Sequence, residues 1–342
     1  MSVFVTLDEI RAAKERIAGV AVRTPLYRVE RARLRMAKVA EPEFDLYIKA
    51  ESEQPIGSFK LRGAYNMVSQ LSPDALRRGV ITYSSGNHAQ GVAYAARALG
   101  AKAVIVMPSN APEVKKAATR ALGAEIVEVG PASLERKAKA EELVEKFGYA
   151  MIPPYDAPQI IAGQATCGLE IVEQLPGVEL VLSPVSGGGL LSGVATAVKL
   201  AAEAGLALPN VKVWGAEPEL AADAKESFET KTLVEWPAAK TTRTIGDGLR
   251  TQSLGELNFK HVLRFVDGIV TVSEDEILSA MRVMLMATSL VPEPSGAVTL
   301  AAALYHAHEL PKARKVAVVL SGGNLEPALR ERLENELAER VG

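Results

Sequence analysis

Apolar positions in this chain fall into short runs separated by longer stretches of helical spacing. The runs at residues 79–83, 103–107, 124–129, 180–182, 211–214 and 316–320 are rich in Val and Ile and show no strict alternation. Runs of this kind predict strands covered on both faces. Between them, residues 89–99, 113–122, 134–147 and 190–204 carry helical periodicity, and the first two end in Leu-Gly, a helix stop signal. Strand alternating with helix predicts an α/β fold, a doubly wound and mostly parallel arrangement of twisted sheets flanked by helices. Residues 1–19, with Asp8, Glu9, Arg11, Lys14, Glu15 and Arg16, read as an amphipathic helix rather than a signal peptide. Residues 230–259 have weak periodicity and are expected to be irregular surface structure. Pro153, Pro154 and Pro158 interrupt helical structure and mark a domain crossing. The three strand–helix modules within 77–155 then form a small domain, and 1–76 with 156–342 a large one.

Composition narrows the picture. A length of 342 residues leaves room for two domains or one large α/β unit. Aromatics are 5% of the chain, which favours helices packed on a parallel sheet over an aromatic-rich sandwich. The net charge is −2 and no basic run carries interleaved aromatics, so no nucleic-acid partner is expected. The longest apolar stretches fall short of a membrane span, and no membrane association is expected. Cys167 is the one cysteine, which excludes an intrachain disulfide and a cysteine metal cluster. A reducing compartment, the cytoplasm, follows as the default.

Four segments carry candidate chemistry. In Gln54-Pro55-Ile56-Gly57-Ser58-Phe59-Lys60-Leu61-Arg62-Gly63-Ala64, Ser58 is a plausible N-cap and Lys60 falls in the first helical turn. The positive helix end lowers the pKa of a lysine placed there, which suits an amine that must be neutral to attack a carbonyl. In Ser84-Ser85-Gly86-Asn87-His88-Ala89-Gln90-Gly91, a strand runs into a small polar turn at a helix start, where several N–H groups face an anion such as a substrate carboxylate. Asn87 has the reach to bond a ring hydroxyl, while the helix-start position of His88 points to a structural role. In Pro184-Val185-Ser186-Gly187-Gly188-Gly189-Leu190-Leu191-Ser192-Gly193, three glycines before a helix form a phosphate cradle. Leu320-Ser321-Gly322-Gly323-Asn324 is again a strand running into glycines, with Ser321 aimed at the ligand crevice. Taken singly, each segment has an ordinary reading: a solvated lysine, a capping turn, a structural glycine turn. Taken together, they converge on one crevice that holds a phosphate, a carboxylate and a flat ring.

With these residues in view, the chain resembles the fold-type II pyridoxal-phosphate enzymes, which share a two-domain fold like that of the tryptophan synthase β chain. Within them it resembles the serine/threonine dehydratase and serine racemase group. The likeness runs from Arg23-Thr24-Pro25-Leu26 to Leu320-Ser321-Gly322-Gly323-Asn324, and the Lys60 and Asn87 segments carry it. It implies pyridoxal 5'-phosphate as cofactor, with Lys60 as the Schiff-base lysine and Ser186, Gly187, Gly188, Gly189 and Leu190 around the phosphate. It places Phe59 and Glu293 beside the ring, Asn87 on the ring hydroxyl and Ser321 at the ring nitrogen. Ser84, Ser85, Gly86, Asn87 and His88 would hold the substrate carboxylate. Ser85 matches the second acid/base of the racemases, facing Lys60 across the substrate. Glu217, Ala221 and Asp223 match the group's divalent-metal site, whose oxygen ligands suit Mg²⁺, Ca²⁺ or Mn²⁺. Arg136 aligns with an arginine that meets a second substrate carboxylate.

The implied activity is β-elimination of water and ammonia from L-serine or L-threonine. Serine racemisation and threo-3-hydroxyaspartate ammonia-lyase activity are alternatives. The small domain would close over the substrate, and a homodimer is expected. Two departures stand out. Gly246 replaces an alanine usual in the group, and the chain ends soon after Asn324, so no regulatory extension and no isoleucine feedback are expected. A competing reading from another class is a nicotinamide-dependent dehydrogenase. The glycines read G-x-G-x-x-x-G, one position off the dinucleotide fingerprint, and Glu217 ends the next strand.

Overall fold

A computed structural model describes residues 3–37, 39–84, 86–130 and 133–341. Its strands are β1 Leu26–Arg28, β2 Asp45–Ala50, β3 Val80–Tyr83, β4 Ala103–Pro108 and β5 Glu125–Val129. They continue as β6 Ala150–Met151, β7 Leu180–Pro184, β8 Lys212–Pro218, β9 Gly268–Val272 and β10 Lys315–Leu320.

Two sheets result. A six-stranded sheet has the order β1-β2-β10-β7-β8-β9, and a four-stranded sheet has the order β5-β4-β3-β6. All pairings are parallel except β1 with β2. The central strands β4, β7 and β10 are buried along almost their whole length, which explains why they read as continuous apolar runs. The four-stranded sheet draws all its strands from residues 80–151, the stretch just before the proline-rich segment.

The helices begin and end largely where local signals place them. The predicted stops fall at Gly100 and Gly123, whose φ angles of +66° and +87° lie in the region glycine favours. The N-terminal helix Leu7–Ile17 is capped by Thr6 with Glu9 in a reciprocal box, and it buries Ile10, Ala13 and Ile17.

Two expectations need correction. Ser58 does not cap the Lys60 helix. The cap position falls on Phe59, in helical geometry and without a side-chain bond, while Ser58 pairs with Gly322 through an isolated bridge. The strand-like contact to the Ser321 loop takes precedence over local capping. Residues 230–259 are also more than irregular surface. They contain the helix Ala238–Thr241 and the start of Glu256–Phe265, and 247–256 run along the main cavity. Their periodicity is weak because their anchors are distant: Gly255 N–H donates to Gly187 O at 3.0 Å and Thr251 meets Ser186.

Candidate active site

A cavity of about 990 Å³ opens where the C-terminal ends of β3, β7 and β10 face the start of the Lys60 helix. In parallel sheets this is where ligands bind, because strand ends deliver loops and helix N-termini to one crevice. Phe59, Lys60, Ser84, Gly86, Asn87 and His88 line it. So do Ser186 to Leu190, Arg136, Glu293 and Ser321, contributed by elements far apart in the chain.

Lys60 opens the helix Lys60–Val68. Its amine donates to Pro154 O at 2.7 Å and lies 5.2 Å from the centre of the Phe59 ring. Burial lowers its pKa from 10.5 to about 8. Desolvation accounts for the shift. An ammonium withdrawn from water with no carboxylate in contact among the described residues loses hydration that the one bond to Pro154 O replaces only in part. A substantial fraction of the amine is therefore neutral near pH 8.

The glycine segment forms a cradle. Gly188 sits at φ +96° and the helix Gly189–Glu203 starts immediately after it with no side-chain cap. The first amides of that helix lack intrahelical partners and face outward, the arrangement that binds phosphate. Side chains have no room here. A Cβ on Gly187 would lie 2.5 Å from the Tyr155 ring, and one on Gly189 would lie 3.0 Å from Tyr155 Cβ. Ser186 Oγ and Thr251 Oγ1 share a 2.7 Å hydrogen bond beside the loop.

On the opposite wall, Asn87 Nδ2 donates to Glu293 Oε1 at 2.8 Å and Asn324 Nδ2 donates to Asn87 Oδ1 at 2.7 Å. This chain of bonds fixes the orientation of the Asn87 amide. Glu293 is buried, and burial followed by repulsion from Asp247 pushes its pKa up to about 7. Ser321 is buried, and its carbonyl accepts from Phe59 N–H at 3.0 Å, which ties the Lys60 helix to the end of β10. His88 Nε2 meets Ile152 O at 3.0 Å, and burial lowers its pKa to about 3, so it stays neutral in a structural setting. Ser84 Oγ accepts weakly from Gly86 N–H at 3.4 Å. Arg136 is in the cavity wall, with its pKa lowered by burial. Ser85 lies outside the described residues.

Glu217 and Asp223 lie near enough to repel each other, outside the cavity lining, with Ala221 two residues before Asp223. Glu217, near the end of β8, and Asp223, at the start of the helix Asp223–Thr230, are both buried. Glu217 Oε1 accepts from Lys225 N–H at 2.7 Å, but Glu217 Oε2 and Asp223 Oδ2 have no partner among the described residues. Burial raises both pKa values, that of Glu217 further through repulsion from Asp223 and that of Asp223 to about 7. Two buried carboxylates with unsatisfied oxygens fit a hard cation, whose charge would reverse both shifts. Among the described residues no cluster of three or more His, Cys, Asp or Glu has metal-site geometry, so further ligands would be backbone carbonyls or water. Glu217 does not line the cavity, which removes the acidic partner that the dinucleotide reading requires.

Sequence reasoning misses Pro154 O, Tyr155 and the pair between Lys115 and Asp247 at the cavity edge. The proline-rich segment reads only as a crossing, and its turn composition is the one signal it offers. Nothing local to Lys115 or Asp247 signals their pairing.

Comparison with known proteins gives concordant results. The family described as "Pyridoxal-phosphate dependent enzyme" matches residues 17–322. A serine racemase of Schizosaccharomyces pombe is 37% identical over 323 residues, covering 94% of each chain. An L-threo-3-hydroxyaspartate ammonia-lyase of Saccharomyces cerevisiae is 39% identical, covering 82% of this chain and 83% of the other. The crystal structure of a T.th. threonine deaminase superposes with a TM-score of 0.85 at 45% identity, covering 94% of this chain and 99% of that one.

Proposed function

This chain belongs to the pyridoxal-phosphate dependent enzymes, and from that premise we propose that it eliminates water from a small β-hydroxy amino acid, L-threonine or L-serine, whose unsaturated product is then hydrolysed by water to a 2-oxo acid and ammonia. The observation that carries this reading is a lysine amine with its pKa lowered to about 8, sharing one cavity with a capless glycine cradle. When bound, pyridoxal phosphate supplies an aldehyde for the substrate amine and a conjugated ring that takes up charge left at Cα.

The protein's own groups do the rest. The amides of Ser186 to Leu190 would hold the phosphate, and Lys60 would be the residue that holds the aldehyde. Asn87, oriented by Glu293 and Asn324, meets the ring hydroxyl, and Phe59 and Glu293 flank the ring. Ser321 meets the ring nitrogen as a neutral hydroxyl. Such a partner would not hold that nitrogen protonated as a carboxylate would. Ser84, Gly86, Asn87 and His88 position the substrate carboxylate, and Ser85 is assigned to the same task by its place in the sequence. Lys60 Nζ is the group that would take the Cα proton. Ser85 is the candidate second acid/base, and reprotonation from its face would give racemisation.

A second reading, threo-3-hydroxyaspartate as substrate, is favoured by the cationic Arg136 in the cavity wall, which suits a second carboxylate. Glu217, Asp223 and the carbonyl of Ala221 form a site for Mg²⁺, Ca²⁺ or Mn²⁺. Residues 77–155 act as a smaller unit closing on the larger one. No helix among the described residues is long and apolar enough to cross a membrane, and the reading extends to a cytoplasmic homodimer.

Borohydride reduction of the cofactor-loaded protein followed by peptide mapping tests the chemistry. Cofactor mass on the peptide containing Lys60 is expected, and label on another lysine overturns the assignment. A panel of serine, threonine and 3-hydroxyaspartate with chiral product analysis separates elimination, racemisation and the dicarboxylate reading.

A further inference from the structure

Arg62 lies two residues beyond Lys60, about 200° around the same helix, so its side chain leaves from the opposite face. There it meets the helix Pro158–Gln174 and the turn Glu51–Glu53 in a charged cluster sealed from water. The side chains of Lys49, Glu51 and Arg62 are 0% exposed and that of Glu170 is 5% exposed. Arg62 grips Glu51 through Nε at 2.7 Å and Nη2 at 2.8 Å, and Glu170 through Nη1 and Nη2, both at 2.8 Å. Nη1 also donates to Thr166 Oγ1 at 3.0 Å and Nη2 to Val22 O at 3.2 Å. Lys49 Nζ donates to Glu170, Thr24 O and Gln174 at 2.5, 2.7 and 3.0 Å. Thr24 Oγ1 and Gln54 Nε2 complete the Glu51 carboxylate. Two cations face two anions, and every nitrogen is engaged.

A buried quartet of this kind adds little net stability over apolar packing, but a fully satisfied one has a single geometry. Backbone contacts reinforce that geometry. A Cβ on Gly163 would lie 2.5 Å from Gly63 Cα and 2.7 Å from Arg62 O, so the Pro158–Gln174 helix touches the Lys60 helix backbone to backbone. On its other side the same helix meets the cradle helix Gly189–Glu203 equally closely. A Cβ on Gly193 would lie 2.6 Å from Ala165 N, and one on Gly168 would lie 2.7 Å from Val194 O. One helix thus lies between the two helices whose N-termini carry the amine and the cradle, neither of which has a side-chain cap to fix its start.

We infer that the helix Pro158–Gln174 is a spacer setting the gap between Lys60 and the glycine cradle, and that Arg62 is a positioning residue locking the Lys60 helix onto it through Glu170 and Glu51. The inference rests on the reading of Lys60 and the cradle as the two ends of the cofactor site. The fork geometry of the guanidinium is what it requires, since a lysine at 62 keeps the charge and loses the bidentate grip.

The test uses the holoenzymes of Arg62→Lys and Glu170→Gln, with Asp267→Asn as a control that breaks an ion cluster with Lys199 and Lys212 outside the cavity lining. Misplacing a reacting amine costs up to about 100-fold. Both variants should lose roughly 10- to 100-fold in kcat with KM held within about threefold, and shift the pH midpoint of the bound cofactor's absorbance band. The control should keep wild-type kcat and midpoint even if its thermal stability falls as far. If Arg62→Lys does not fold, Glu170→Gln decides. Wild-type kcat and midpoint in the variants that fold, or losses shared with the control, overturn the inference. Borohydride labelling of the wild type separates the two failures, because label on Lys60 leaves the cofactor reading intact when the spacer idea falls.

Discussion

Replacing Lys60 with methionine should abolish turnover and also stabilise the cofactor-free protein at neutral pH. The displacement of the lysine pKa from 10.5 to about 8 corresponds to about 3 kcal/mol, at about 1.4 kcal/mol per pKa unit. Partial solvent access to the side chain and the lost bond to Pro154 O reduce the expected gain to about 1–2 kcal/mol. The pH dependence identifies the cause. An amine whose folded pKa lies below its unfolded one binds a proton more readily when unfolded. Its penalty is absent above pH 10.5, grows as pH falls to about 8, and is constant below that. Thermal unfolding of wild type and Lys60→Met without cofactor should therefore show the variant melting about 1–3 °C higher at pH 7. The gap should close as pH rises toward 10.5. A gap of the same size at both pH values, or a less stable variant at pH 7, would refute the claim that desolvation of this amine lowers its pKa.

Three further outcomes are expected. Gly187→Ala places a Cβ 2.5 Å from the Tyr155 ring and should weaken cofactor affinity by about tenfold or more, read by absorbance titration. Millimolar Mg²⁺ or Mn²⁺ should raise the melting temperature of the wild type but not of Glu217→Gln or Asp223→Asn. The rise should fade as pH falls below about 7, where the Asp223 carboxyl holds its proton in the metal-free protein; an equal rise in the variants would place the cation elsewhere. Glu293→Gln should remove an inflection near pH 7 from the kcat profile, since burial holds that carboxyl at about 7. An inflection retained in the variant would assign it to another group.

The active site carries its own instability. Partly buried Lys60 and buried Glu293 in the cavity, like buried Glu217 and Asp223 outside its lining, have pKa values displaced against their charged forms. Unlike the Lys49, Glu51, Arg62 and Glu170 quartet, they lack opposite charges in direct contact among the described residues, as expected of groups kept for binding or chemistry rather than for packing. His88 is the instructive exception among residues near the cavity. Its pKa of about 3 and its bond to Ile152 O hold it neutral across the working pH range, so it anchors the start of the Asn87 helix instead of moving protons.

Local sequence alone settles the strand–glycine–helix order, the positions of most buried strands, the helix stops at Gly100 and Gly123, and the four segments that meet in the crevice. These features depend on neighbours a few residues apart, through side-chain period, glycine conformation and helix-end chemistry. Packing sets the rest. It assigns Ser58 to a bridge with Gly322 instead of a cap, and it places the cause of the lysine pKa in burial. It turns residues 247–256 toward the cavity and supplies Glu293 and Asn324 as partners for Asn87. It also assembles the Arg62 quartet from separate segments of the chain. Each of these depends on groups brought together across the fold, where closeness is set by how sheets and helices meet, and local sequence carries no record of that meeting.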